Sequence, residues 1–370
     1  MRILHLTSHL SIGGITRYVL SLSKRQVHSG HQVVIAADGK ITGSPPEMQG
    51  ITHWQYPLRT SAEFSLPVFW SVRDLEKRLR RFPVDIVHAH TRVGQVMADQ
   101  ISRRLRIPYV TTWHGIYKKR LGRRLWPCAG EIAIAISDPV YNHLLQDFHI
   151  PPERVRRIYN GIETERYAVL PDPATLEEFR QRWHIPSNRP LIGSIGRLAS
   201  GRVKGFDMIL FMGHLLENLL PDLHVMIVGD GPRRPFLEDI SRRLGISERV
   251  HFIGPVEDIR VPLALLDVFI FPSRWPEAFG LTLVEAMAAG KAVVAMKIGA
   301  VPEIVEHEVN GILVPPEDLS SLLKAVTRLL QDREMAFRLG QNAQARAREM
   351  FNLDRMAKEI EAVYREVLNH

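Results

Sequence analysis

The 370-residue chain has a single cysteine, Cys128, so no internal disulfide can staple it, which fits a reducing compartment. No apolar run approaches the ~18 residues that cross a bilayer, and the opening stretch MRILHLTSHL reads as a strand rather than a secretory leader. There is no Asp-x-Asp to clamp a divalent ion, and metal ligation is not expected. There is no Gly-x-Gly-x-x-Gly either, which argues against a dinucleotide fingerprint even though Asp38 imitates the position of a ribose-binding acid. No helix-turn-helix, zinc-finger or RNA-recognition pattern appears, so nucleic acid is not the expected partner. The expectation left standing is a cytoplasmic protein, with peripheral attachment to the cytoplasmic face of the inner membrane as its refinement.

Against those absences stands a chain of ordinary globular composition, 45% hydrophobic and 24% charged, long enough for two domains. Its net charge of +8 is unevenly spread. Residues 1–170 hold 24 Lys and Arg against 13 Asp and Glu, and the remainder 24 against 27. The basic half includes YKKRLGRRLW, where Lys118, Lys119, Arg120, Arg123 and Arg124 lie beside Tyr117, Leu121, Leu125 and Trp126. Cations interleaved with aromatic and aliphatic side chains suit an anionic membrane surface or an anionic acceptor.

Both halves alternate short apolar runs with helical patterns, which predicts parallel sheets covered on both faces. The first half predicts strands over 2–6, 32–36, 85–87, 109–112 and 132–136, with helices over 15–29 and 138–148. The second predicts strands from 191, then over 225–228, 250–253, 268–271 and 292–296. Four prolines between 168 and 190 mark a connection. The expected division is therefore 1–170, a linker over 171–190, a second domain over 191–351, and a terminal helix over 352–370. That helix carries Met356, Ile360, Val363, Tyr364 and Val367 on one stripe and is expected to return to the first domain. The fold class is α/β, two Rossmann-like doubly wound domains facing across a cleft.

In such sheets ligands meet the carboxyl ends of strands. Glu277 and Glu285 follow the run 268–271. Eight positions on one helix would set them about 80° apart, and Pro276 and Gly280 place Glu277 in a loop and Glu285 in the helix that follows. The pair is thus placed to hold one ligand at two points. Arg197 and Lys204, on either side of the loop after 191–195, are two cations suited to a diphosphate, with Arg202 also available. Gly13 and Gly14 would let a helix N-terminus approach an anion. His88 and His90 lack a third ligand at recognisable spacing and read as polar strand-end residues, whereas His114 beside Gly115 is the better ligand-contact candidate. Asn160 and Gly161 form a sharp turn that is structural or a contact.

Taken together, GSIGRLASGRVKGFD, IVGDGPRRPFLE, FPSRWPEAFGLTLVEAMAAGKAVVA, GAVPEIVEHEVNGILVPPEDL, SIGGITRYV, DIVHAH and YNGIETERY resemble the family 4 retaining glycosyltransferases over nearly the whole chain, most specifically over 191–320. The resemblance implies the GT-B fold and metal-independent transfer with retention at the anomeric carbon. It implies a nucleotide-diphosphate sugar, UDP-sugar favoured, as co-substrate with no cofactor, and a glycan or lipid-linked acceptor as in lipopolysaccharide synthesis. By resemblance Glu285 binds the ribose, Glu277 the donor sugar, and Arg197 and Lys204 the diphosphate. His114 contacts the transferred sugar, Gly14 lies near the phosphates or sugar, and Phe279, Gly280 and Leu281 offer backbone groups. His114, Glu277, Arg197 and Lys204 are the expected catalytic set. Ala292 departs from the proline common after Gly-Lys, and Gly-Ala-Val-Pro-Glu from the usual Gly-Gly-Val-Pro-Glu. Competing readings are a noncatalytic sugar-nucleotide or polyanion binding module, a nicotinamide-dependent oxidoreductase, and a glycoside hydrolase using the two glutamates as acid and base.

Overall fold

A parallel sheet buries both faces, so its strands must be apolar on alternate residues in both directions. In the computed structural model, which describes residues 1–11, 13–39, 50–60, 65–119, 121–201 and 203–369, two sheets meet that requirement. The first is built from β1 (Arg2–His9), β2 (Gln32–Asp38), β3 (Ile51–Gln55), β4 (Ile86–Ala89), β5 (Tyr109–Trp113), β6 (Ile132–Ala135) and β7 (Val155–Arg157). Their order is β3-β2-β1-β4-β5-β6-β7, parallel throughout. The second contains β8 (Leu191–Ile195), β9 (His224–Val228), β10 (Val250–Ile253), β11 (Val268–Phe271), β12 (Ala292–Met296) and β13 (Ile312–Val314). Its order, β10-β9-β8-β11-β12-β13, is again parallel.

The chain divides into one unit of residues 1–161 with 352–370 and a second of 162–351. In the first unit, Ile3, Ile35, Ile86 and Val110 point to one side of the sheet, where Tyr18, Val19 and Leu22 of the helix Gly14–His28 cover them. Met356, Ile360, Val363, Tyr364 and Val367 of the helix Leu353–Leu368 join the same cluster. Each large apolar side chain buried there contributes about 1.5–3 kcal/mol. Leu4, Leu6, Val87 and Ala89, one residue out of phase, face the helices Leu66–Arg81 and Arg92–Leu105 on the other side. The helix Leu353–Leu368 starts cleanly because the Asn352 side chain accepts the Arg355 amide at 2.7 Å.

The boundary between the units falls at Gly161, earlier than the sequence reading placed it, and 171–190 is not a bare linker. Pro173 is the first residue of the helix Pro173–Arg182, capped by the Asp172 carboxylate, which accepts the Ala174 and Thr175 amides at 3.0 Å. Proline is favoured at a helix start because its missing N–H is unneeded there. That helix belongs to the second unit.

One polar cluster interrupts the first unit's core: His5 on β1 is paired in register with His88 on β4, and both are fully buried with His90. Loss of water from the charged imidazole lowers His5 to about 4 and holds His88 and His90 well below the ordinary value. Unfolded, these rings titrate near pH 6.5, so below that pH the unfolded chain binds more protons than the folded one. Their contribution is therefore complete above pH 6.5 and is lost as the pH falls, by up to about 1.4 kcal/mol per pH unit for each ring. Urea midpoints between pH 7.5 and 5.0 should fall with acid in the wild type and fall less in His88→Gln; equal slopes would contradict the burial argument.

Candidate functional site

Strand order fixes where each unit can hold a ligand. Connections leave to opposite sides where the order reverses, between β8 and β11 in the second unit and between β1 and β4 in the first, so a crevice opens at the carboxyl ends of those strands. In the second unit the β8 end leads to Arg197 and Lys204, and the β11 end to Glu277.

The Lys204 ammonium donates to Glu277 Oε1 at 2.5 Å, and Ser273 Oγ donates to the same oxygen at 2.8 Å. Lys204 is also 6.0 Å from the centre of the Phe271 ring. The two loops are locked to each other: the Arg274 amide donates to the Val203 carbonyl at 2.8 Å, and the Arg274 guanidinium binds Asp207 at 2.9 Å. That ion pair is largely buried, and removing one partner of such a pair costs about 3–5 kcal/mol. Gly205 has a positive φ of 64°, and a Cβ there would stand 2.0 Å from the Pro272 carbonyl oxygen, so this close approach requires glycine. A Cβ on Gly299 would lie 2.5 Å from the Glu277 carbonyl oxygen, so the segment carrying Glu277 is fixed from below as well. Arg197 is exposed at the end of β8, and its side chain makes no hydrogen bond or ion pair among the described residues.

Gly280, at φ 115°, turns the chain into the helix Leu281–Ala288, which matches the sequence reading of Glu277 in a loop and Glu285 in a helix. Glu285 is 2% exposed and accepts a hydrogen bond from the Tyr167 hydroxyl at 2.9 Å. Phe279 is buried against Phe351, with ring centres 5.6 Å apart, so it is a packing residue whose backbone alone is available to a ligand. Leu281 is half-buried at the helix start.

In the first unit Gly13 is the extended residue that caps the helix Gly14–His28, and both glycines are exposed. His114 follows β5 and packs edge-on against Tyr18, 4.7 Å between ring centres. Its Nε2 lies 3.3 Å from His90 Nδ1. This crowding strips water from its ring and pushes its pKa down to about 3, so the imidazole is neutral at physiological pH. Asp38 accepts the Gly39 and Arg59 amides at 2.7 and 3.3 Å and so serves its own loop. Asn160 is buried, and a Cβ on Gly161 would meet the Asn352 carbonyl oxygen at 2.4 Å, the structural alternative for that turn.

Two readings need correction. His88 and His90 do have a third histidine nearby, His5, and one nitrogen from each can be chosen so that all three lie within 4.8 Å. Sequence spacing hid it because the partner sits on the neighbouring strand. The basic segment is also only partly free. Trp126 is half-buried and donates its indole N–H to Asp99 at 3.1 Å, Lys119 pairs with Asp147, and Arg123 lies over the Tyr117 ring at 4.7 Å. Lys118 and Arg124 are exposed, Arg120 is outside the described residues, as is Arg202 of the donor loop, and the outward apolar side chains are Leu121 and Leu125, 70% and 77% exposed. Tyr167 and the Asp207–Arg274 pair went unnoticed because their contacts are distant in sequence, and Ser273 because its bond to Glu277, four residues on, depends on the loop's fold rather than on a regular repeat.

The second-unit segment 176–346 matches the family described as "Glycosyl transferases group 1", and 12–166 matches "Glycosyltransferase Family 4". An uncharacterized glycosyltransferase of Methanocaldococcus jannaschii is 27% identical, covering 96% of this chain and 94% of its own. The lipopolysaccharide core biosynthesis mannosyltransferase LpsB of Rhizobium meliloti is 29% identical over 80% of this chain and 83% of its own. Among solved structures, Anabaena HepE in complex with UDP-glucose aligns with a TM-score of 0.85 at 25% identity, covering 99% of this chain and all of that one. With both sheets, their switch points and both segment matches accounted for, the chain belongs to the family 4 glycosyltransferases of the GT-B fold.

Proposed function

We propose that this glycosyltransferase is a retaining, metal-independent hexosyltransferase that moves a sugar from a nucleoside diphosphate to a glycan or lipid-linked acceptor of the cell envelope, as in lipopolysaccharide assembly. The observation that carries the reading is the Lys204–Glu277 pair at the β8/β11 switch point, with Glu285 buried one helix turn into the following element. A donor diphosphate competes with Glu277 for Lys204. The freed carboxylate then accepts hydrogen bonds from sugar hydroxyls, while Lys204 and Arg197 face the phosphate. Glu285 accepts from the ribose hydroxyls. As the anomeric bond breaks, negative charge grows on the diphosphate, and the braced Lys204 together with the exposed Arg197 stabilises it without a metal. His114, held neutral, is the proposed contact to the transferred sugar. The UDP preference rests on HepE, whose structure holds UDP-glucose. The envelope assignment rests on LpsB and on the exposed Lys118, Arg124, Leu121 and Leu125.

In a thermal-shift panel of UDP, GDP, ADP, CMP and NAD, one nucleoside diphosphate at 100 times its Kd should stabilise the fold by roughly 2.7 kcal/mol. Glu285→Ala should weaken that ligand about 10–100-fold, the cost of hydrogen bonds to a charged acceptor. A shift with NAD alone would restore the oxidoreductase reading.

Lys204→Ala should lower kcat for transfer about 10²–10³-fold, as loss of a transition-state charge donor does. Wild-type rate should be unchanged by EDTA, and the product should keep the donor's anomeric configuration by NMR. A donor that binds normally yet survives with every acceptor would instead favour the binding-module reading.

Sedimentation with anionic vesicles should show binding that declines with salt and weakens in Leu121→Ser/Leu125→Ser. Equal binding to neutral vesicles would exclude the electrostatic account.

A further inference from the structure

The buried His5, His88 and His90 and the half-buried His114 form an ordered chain whose polarity can be worked out atom by atom. His5 Nε2 lies 2.7 Å from Gln26 Oε1, and His5 Nδ1 lies 2.9 Å from His90 Nε2. His90 Nδ1 lies 3.3 Å from His114 Nε2. At the other end of the same amide, Gln26 Nε2 is 3.2 Å from the Tyr364 hydroxyl, which is 2.6 Å from His88 Nδ1. His88 Nε2 completes its set with Thr112 Oγ1 at 2.7 Å. Every ring nitrogen of His5, His88 and His90 is thus engaged by another protein side chain, which describes a hydrogen-bonded relay better than a set of open metal ligands.

Gln26 sets the direction. A separation of 3.2 Å suits N–H···O and is long for O–H···O, so the amide nitrogen faces Tyr364 and the amide oxygen faces His5. An amide oxygen only accepts, so His5 Nε2 carries the proton. A neutral imidazole has one donor and one acceptor, so His5 Nδ1 is bare and must accept from His90 Nε2–H. His90 Nδ1 is then bare and must accept from His114 Nε2–H. His114 is left with its lone pair on Nδ1, an atom with no hydrogen-bond partner among the described residues.

We propose that Gln26, His5 and His90 are positioning residues that hold His114 in its Nε2–H tautomer and present Nδ1 as an acceptor for a hydroxyl of the transferred sugar. The inference rests on the reading of His114 as the sugar contact. A His114 free to switch tautomers would present an N–H at Nδ1 for part of its time, and a sugar hydroxyl there would have to turn from donor to acceptor. The relay also explains why His5, His90 and His114 stay together without a charge partner: each supplies the donor or acceptor that its neighbour lacks, while His88 is held by Tyr364 and Thr112.

The test is ¹⁵N NMR of the full-length protein labelled at histidine, with the His114 signals assigned by their loss in His114→Asn. Wild type should show a protonated-type Nε2 and a bare-type Nδ1 for His114. Gln26→Leu should turn these into the averaged shifts of mixed tautomers, and Gln26→Glu, which keeps an acceptor facing His5, should restore the wild-type pattern. In transfer assays Gln26→Leu should lower kcat about tenfold with KM for the donor within twofold, and Gln26→Glu should recover most of the loss. A wild-type His114 carrying its proton on Nδ1, or one unaltered by Gln26→Leu, overturns the relay. The wild-type spectrum decides even if Gln26→Leu does not fold. These spectra need no substrate, so absence of sugar transfer would overturn the role of His114 and leave the tautomer result standing.

Discussion

Parallel strands leave every side chain of a sheet facing a helix, so the only openings for chemistry are at strand ends. That constraint organises both units. Each reverses its strand order beside its first strand, β1 against β4 and β8 against β11. The residues with chemical capacity accumulate at those ends: His114 and the capping glycines in one unit, and Lys204, Glu277 and Glu285 in the other. The sheet interiors meanwhile hold the fold together, and along β1 and β4 the buried histidines His5 and His88 stand among the aliphatic side chains.

The second unit invests rigidity in its loops. Gly205 lets one loop touch the Pro272 carbonyl, the Arg274–Asp207 pair ties the two loops through a buried charge contact, and Ser273 holds the carboxylate that Lys204 meets. A cation on a free loop spreads its charge over many side-chain positions, whereas Lys204 on a loop braced on two sides holds its charge in one place, as the proposed transfer reading requires. The ion pair between Lys204 and Glu277 gives each group an opposite charge, which avoids burying either charge alone.

Much of this was legible because buried parallel strands and glycine-led helix starts leave strong local patterns. The paired glutamates could be split between loop and helix from Pro276 and Gly280 alone. Three strands escaped: β7 and β13 have only three residues each, and β3 is a half-exposed edge with no continuous apolar run. Pro171 and Pro173 were read as linker punctuation, whereas Pro173 opens a capped helix. Trp126 was assigned to the surface from its neighbours' charge, but its indole is drawn inward by Asp99, a partner 27 residues earlier. His5 was invisible as a companion of His88 because register between β1 and β4 is a property of the sheet.

The helix Leu353–Leu368 lays Ile360 and Tyr364 onto a core begun by Ile3, and residues 162–351 of the other unit lie between these contributions in sequence. During synthesis, at about 5–20 residues per second, that intervening stretch takes on the order of ten to forty seconds to emerge. Throughout that interval the face covered by Tyr18, Val19 and Leu22 lacks the part of its cover that Ile360 and Tyr364 supply, and Tyr364 is missing from the histidine chain. The first unit therefore begins before the second and is completed only after it, because its closing helix is synthesised last of the two units.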